Sequence, residues 1–125
     1  MISYLLVAAG GAGGSVARYG LALAVARVTG SGFPWGTVLI NIVGSFVIGW
    51  FSGFSAVYSR HPMGEPMRAL VMAGFCGGFT TFSAFSLQTV ELLRAGEATR
   101  ACVNVFFSVV LCLGATALGL KLAQG

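Results

Sequence analysis

The sequence predicts an all-α integral membrane protein with four transmembrane helices, the third of them interrupted. Three observations predict it. Of the 125 residues, 57% are hydrophobic and 8% charged, with a mean hydropathy of +0.91, whereas a soluble domain carries about 25% charged residues. Four stretches reach the length of about 20 mostly apolar residues that a spanning helix needs. One of them holds a Gly-Gly pair and two β-branched threonines in its middle, Gly77-Gly78-Phe79-Thr80-Thr81, where a helix is most needed. Seven Lys and Arg plus three Asp and Glu cannot coat a water-facing globule. This excludes an ordinary soluble enzyme, a disordered tail and a disulfide-stapled secreted module. The sequence pI of 9.4 does not signify nucleic-acid binding, because the cations are scattered and form no patch.

Charges and prolines bound the spans at about residues 2–26, 34–58, 67–93 and 101–122, as a single four-helix transmembrane domain over residues 1–125. The connections 27–33, 59–66 and 94–100 are short and polar, and each holds a Gly or Pro breaker. Met1-Ile2-Ser3-Tyr4 lacks a positive n-region, so the first stretch is predicted to be a retained helix and not a signal peptide. Orientation should follow the Lys/Arg asymmetry between the two sides. With four spans, Arg60, Arg68 and Lys121 lie toward one side, and Arg27, Arg94 and Arg100 toward the other. Three against three gives no bias. Such a chain is expected to insert both ways, and two opposed copies could pair as an antiparallel, dual-topology homodimer.

Nineteen glycines suit close helix contact in lipid, where backbones meet through small residues. Gly10 and Gly14, Gly49 and Gly53, and Ala115 and Gly119 form small-xxx-small pairs. The first cluster is not a nucleotide loop: it lacks Gly-Lys-Ser/Thr, and Val16 stands where GxGxxG needs its last glycine.

The segment Gly74-Phe75-Cys76-Gly77-Gly78-Phe79-Thr80-Thr81-Phe82-Ser83-Ala84-Phe85-Ser86 is a poor helix at membrane depth. Non-helical backbone there is tolerated only where protein or a cavity satisfies it, and interrupted helices in transporters use freed carbonyls for cations. The alternative is a kink filled by neighbouring hydroxyls.

Polar residues within spans are costly and mark functional candidates. Arg18 lies deep in the first span and Asn41 at the centre of the second. Gln88 follows Ala84 by one turn, and Thr37, Ser45, Ser83, Ser86, Asn104 and Ser108 add hydroxyls and an amide. This set is rich in hydrogen-bond donors. No Asp occurs, and Glu91 lies near a span end. A donor-lined path anchored by a cation suits an anion, whereas a proton-coupled pump or cation filter normally needs a buried carboxylate. A Ser or Thr taken singly more often back-bonds to its own helix. Phe82 and Phe85, at i and i+3, share a helical face. Either they only pack, or their positive ring edges solvate a bare anion weakly enough to let it leave. Cys76, Cys102 and Cys112 read as free thiols, and His61 is single in a connection. No Ser/His/Asp set or carboxylate pair is present for catalysis, so no enzyme is expected.

Three of these segments, in order, resemble the Fluc (CrcB) family of small fluoride ion channels along nearly the whole chain. Residues 74–86 are similar to its GFxGGxTTFSxF stretch, Gly36-Thr37-Val38-Leu39-Ile40-Asn41-Ile42-Val43-Gly44-Ser45-Phe46 to its GTxxxNxxGSF, and Gly11 through Arg18-Tyr19 to its GxxGxxxRY opening. The resemblance implies a bacterial inner-membrane protein that lets fluoride leave the cell passively as an antiparallel dual-topology homodimer. It also implies a structural sodium ion buried between subunits and not transported. Backbone carbonyls of Gly77 and Thr80 from both subunits would hold the sodium. Phe82 and Phe85 would be the pore phenylalanines, and Asn41 a fluoride-contacting amide. Thr81, Ser83 and Ser108 would supply pathway hydroxyls, and Arg18 would sit at the aqueous vestibule. Gln88, also assigned to the pathway, stands where the family commonly has Glu, and Cys112 where a Ser can continue the polar track. Fluoride, a second copy and membrane lipid are the implied partners.

Two other readings differ in class. A small proton-coupled drug exporter shares size and dual topology but should have a carboxylate in the first span, and residues 2–26 contain none. A non-conducting scaffold subunit would reduce Asn41 and the broken helix to packing.

Overall fold

The computed structural model describes residues 1–56 and 62–125. The end expected for the second span at residue 58, and Arg60 and His61 in the connection after it, lie outside the described residues.

The regular structure of the described residues is helical throughout. Helix α1, Ile2–Thr29, is followed by α2, Trp35–Ser55. The third span begins with α3, Glu65–Arg68, and widens into a π-helical segment, Ala69–Cys76, before closing as α4, Gly77–Phe79. After Thr80 and Thr81 it resumes as α5, Phe82–Arg94, and α6, Ala98–Gln124, completes the chain. Each stretch expected to span is helical apart from the break in the third, with ends that differ by at most three residues among those described. Gly30, with φ 74°, and Gly96, with φ 79°, make the turns after α1 and α5 in a conformation that residues with a Cβ avoid.

Three stretches are long and apolar enough to cross a bilayer: Trp35–Ser55, Glu65–Arg94 and Ala98–Gln124. Their outward faces carry large apolar side chains such as Phe106, 63% exposed, and Leu113, 67% exposed, which suits lipid and not water. With 28 residues, α1 extends about 42 Å, but Arg18, Arg27 and its glycines make it less apolar.

Two packing units build the molecule. Helix α6 lies along α2, and α1 lies along the π-helical segment and α4. Small residues decide both. A Cβ on Gly14 would overlap the carbonyl oxygen of Phe75, and a Cβ on Gly119 would overlap that of Phe46 and stand 2.7 Å from the Trp50 nitrogen. Between α6 and α2 Thr116 Oγ1 donates to the Ser45 carbonyl at 3.1 Å.

The interruption sits later than Gly77-Gly78 suggests. Gly77 has φ −63°, ψ −38° and stays helical. The extended residues are Thr80, with φ −82°, ψ 156°, and Thr81, with φ −149°, ψ 110°. The physical reason lies in the neighbours. Gly78 is small because the Gly11 carbonyl oxygen lies 2.6 Å from where its Cβ would be, while β-branched threonines favour extended backbone.

Candidate functional site

The break frees backbone groups that water would satisfy in a soluble protein and that lipid cannot. Side chains from two other helices take some of them. Arg18 of α1 donates from Nε to the Gly78 carbonyl at 3.1 Å. Asn41 of α2 grips Thr81 at both backbone atoms: Asn41 Nδ2 donates to the Thr81 carbonyl at 3.1 Å, and the Thr81 N–H donates to Asn41 Oδ1 at 2.8 Å. Thr81 then caps α5, its hydroxyl accepting from the Ala84 N–H at 3.1 Å and lying 3.3 Å from Ser83 Oγ. The Thr80 hydroxyl donates back to the Cys76 carbonyl at 2.8 Å. Among the described residues, the carbonyls of Gly77 and Thr80 receive no such bond.

Around this break lies a cavity of about 340 Å³ between α2, the third span and α6. Asn41, Gly77, Thr80, Thr81, Phe82, Phe85 and Ser108 all line it, so most of the sequence-predicted pathway and cation residues converge on one space. Cys76 and Cys112 also line it; both are free thiols. The Phe82 and Phe85 rings are tilted at 51° with centroids 5.4 Å apart, and Phe82 is 78% exposed.

Three predicted residues stand apart. Ser83 is exposed beside Thr81 and does not line this cavity. Gln88 lines a second cavity, of about 610 Å³, with Tyr19, Trp35, Glu91, Glu97 and Arg100. Its Oε1 is buried without a partner among the described residues. Arg18 lines neither cavity and is occupied with Gly78. At the rim of the second cavity Arg100 donates to the Gly32 carbonyl at 3.2 Å and pairs with Glu97 at 3.8 Å.

Sequence reasoning missed Thr89 and gave Asn104 no role. Asn104 is 1% exposed and donates to Thr89 Oγ1 at 2.9 Å, and Thr89 donates to the Phe85 carbonyl at 2.7 Å. The sole signal was their polarity within apolar spans. Among the described residues no group of three or more His, Cys, Asp or Glu could hold a metal ion.

The family described as CrcB-like protein, Camphor Resistance (CrcB), matches residues 5–120. A protein of Opitutus terrae named fluoride-specific ion channel FluC is 52% identical over 125 residues, which is 100% of this chain and 95% of that one. Proteins of the same name from Methylocella silvestris and Gluconobacter oxydans are 52% and 51% identical, over 94% and 97% of this chain and 90% and 84% of theirs. With a family match from residue 5 to residue 120 and relatives at half identity along the whole chain, this multi-pass membrane protein belongs to the CrcB family.

Proposed function

We propose that this chain is a fluoride-selective channel that lets fluoride cross the membrane passively and so lowers its cytoplasmic concentration. The observation that carries the reading is the about 340 Å³ cavity, in which an amide, hydroxyls and a tilted phenylalanine pair meet at a broken helix in a chain about half identical to proteins named fluoride-specific ion channels.

A fluoride ion must exchange water for donors that do not hold it too tightly. An asparagine amide has two N–H donors, so Asn41 keeps one for the ion while the other holds Thr81. The Thr81 hydroxyl accepts from Ala84, which leaves its proton for an anion or for Ser83. Ser108 brings a hydroxyl from α6. Beyond these donors the ring edges of Phe82 and Phe85 offer weak positive potential, and the Arg18 guanidinium adds charge near the break.

In this reading α1 is the fourth span, and two chains assemble in opposite orientations. Gly77 is exposed and Phe82 largely so, which leaves the break open on one face for a second copy. The carbonyls of Gly77 and Thr80, which receive no hydrogen bond among the described residues, are oxygen donors without a carboxylate, a set that fits a monovalent cation such as sodium better than calcium or magnesium. Gly77 and Thr80 of two copies would hold it; bound there, it supplies fixed positive charge.

Purified protein in liposomes tests the function. Valinomycin-supported efflux of fluoride, read with an ion-selective electrode, should be fast, and chloride efflux under the same conditions negligible. Equal release of both anions, or of neither, contradicts the proposal.

A further inference from the structure

The helix that carries Phe82 and Phe85 is thinly held. No residue of α5 is buried. Among the described residues, a single hydrogen bond joins a side chain of α5 to another helix, from Asn104 Nδ2 of α6 to Thr89 Oγ1. The donors run in one direction. Ser108, 6% exposed at the cavity wall, donates to Asn104 Oδ1 at 3.4 Å; Asn104 donates to Thr89; Thr89 donates to the Phe85 carbonyl at 2.7 Å. Each step uses the one atom the next group leaves open, so the amide is satisfied at both ends while lining no part of the cavity itself. Lipid offers no substitute donor for Thr89 and no substitute acceptor for Asn104.

We infer that Asn104 is a positioning residue of the anion path: through Thr89 it latches α5 to α6, and so fixes the turn that bears Phe85 and the direction of the Ser108 hydroxyl. The inference rests on the proposed path through the Phe82–Phe85 cavity, but the latch itself is measurable without ion flux.

Amide hydrogen exchange across residues 82–94, in nanodiscs, reads the latch directly. Thr89→Val keeps shape and removes the hydroxyl; Asn104→Leu removes the amide; Thr89→Ser restores the hydroxyl. Thr89→Val and Asn104→Leu should each speed exchange in α5 by about fivefold, the weight of one interhelical hydrogen bond, with α2 unchanged and Thr89→Ser like the parent. The double variant should be no faster than either single one. Fluoride efflux should fall by about tenfold in the same two variants, as expected for a displaced contact, with dimer yield retained. The latch is overturned by unchanged α5 exchange in both variants or by effects that multiply in the double variant, and the positioning role by a loosened α5 with full efflux. A parent protein that moves no fluoride refutes the proposed function, and the exchange series still decides the latch.

Discussion

Asn41 shows how a single residue serves fold and path together. Its carbonyl and one of its N–H groups close the backbone of Thr81, and its second N–H remains for a passing anion. The two duties are separable. Asn41→Asp keeps an acceptor for the Thr81 N–H but loses both donors, including the one to the Thr81 carbonyl, and adds negative charge, so it should retain part of the clamp and conduct poorly. Asn41→Ala also leaves the Thr81 N–H unpaired, and should cost about 1–3 kcal/mol of stability as well. Thermal unfolding in detergent, set beside fluoride efflux, distinguishes the two outcomes; equal stability of both variants would contradict the clamp. Phe82 and Phe85 allow a similar separation. Phe→Ile at either position keeps apolar bulk but removes the ring edge, so efflux should drop sharply while the dimer persists. Full conduction by both variants would make the rings packing only. The donor-rich character of these residues was legible in the sequence, as was their convergence once the family resemblance was seen. That Asn41 spends half its amide on backbone was not, because a hydrogen bond across 40 residues leaves no local trace.

At the scale of elements, the third span carries the account. Its interruption was legible in composition over residues 77–81, and within that stretch the threonines leave the helix while the glycines stay in it, because glycine here is a contact surface. Gly78 is small to admit α1, and the chain leaves the helix at the β-branched pair Thr80-Thr81. The π-helical stretch Ala69–Cys76 had no sequence signal, since its apolar residues are of the same kinds as those of the neighbouring α-helices. The small-residue seams were better read. Gly119 and Gly14 face neighbouring backbone, which cannot rotate away as a side chain can. Gly119→Ala should therefore destabilise the fold by about 1–3 kcal/mol through overpacking. Gly114→Ala, with nothing within 4 Å of the new methyl, should be neutral or stabilise by up to about 1 kcal/mol through helix propensity. A melting series that ranks the two the other way would contradict the seam.

For the whole molecule, composition alone placed the chain in a bilayer, and the exposed apolar faces of α5 and α6 agree. The proposed pairing of two copies leaves no local trace in the sequence. The balanced charge count motivates dual topology: a reporter fused to the C-terminus should give comparable signal on both sides of the membrane, and two Lys added beside Arg60 should bias it to one. A parent reporter seen on one side alone would defeat that arrangement. The carbonyls of Gly77 and Thr80, without a partner among the described residues, motivate a cation between two proposed copies, so efflux should fall when a larger cation replaces sodium throughout purification and reconstitution. Undiminished efflux from a stable sodium-free dimer would remove the ion from the account. The central claim, a passive path selective for fluoride, is tested most directly by the reversal potential in a planar bilayer with fluoride on one side and chloride on the other. Current should reverse far from zero, at a voltage that holds back fluoride alone and does not change with a pH gradient. A reversal near zero, or one that follows the proton gradient, would contradict it.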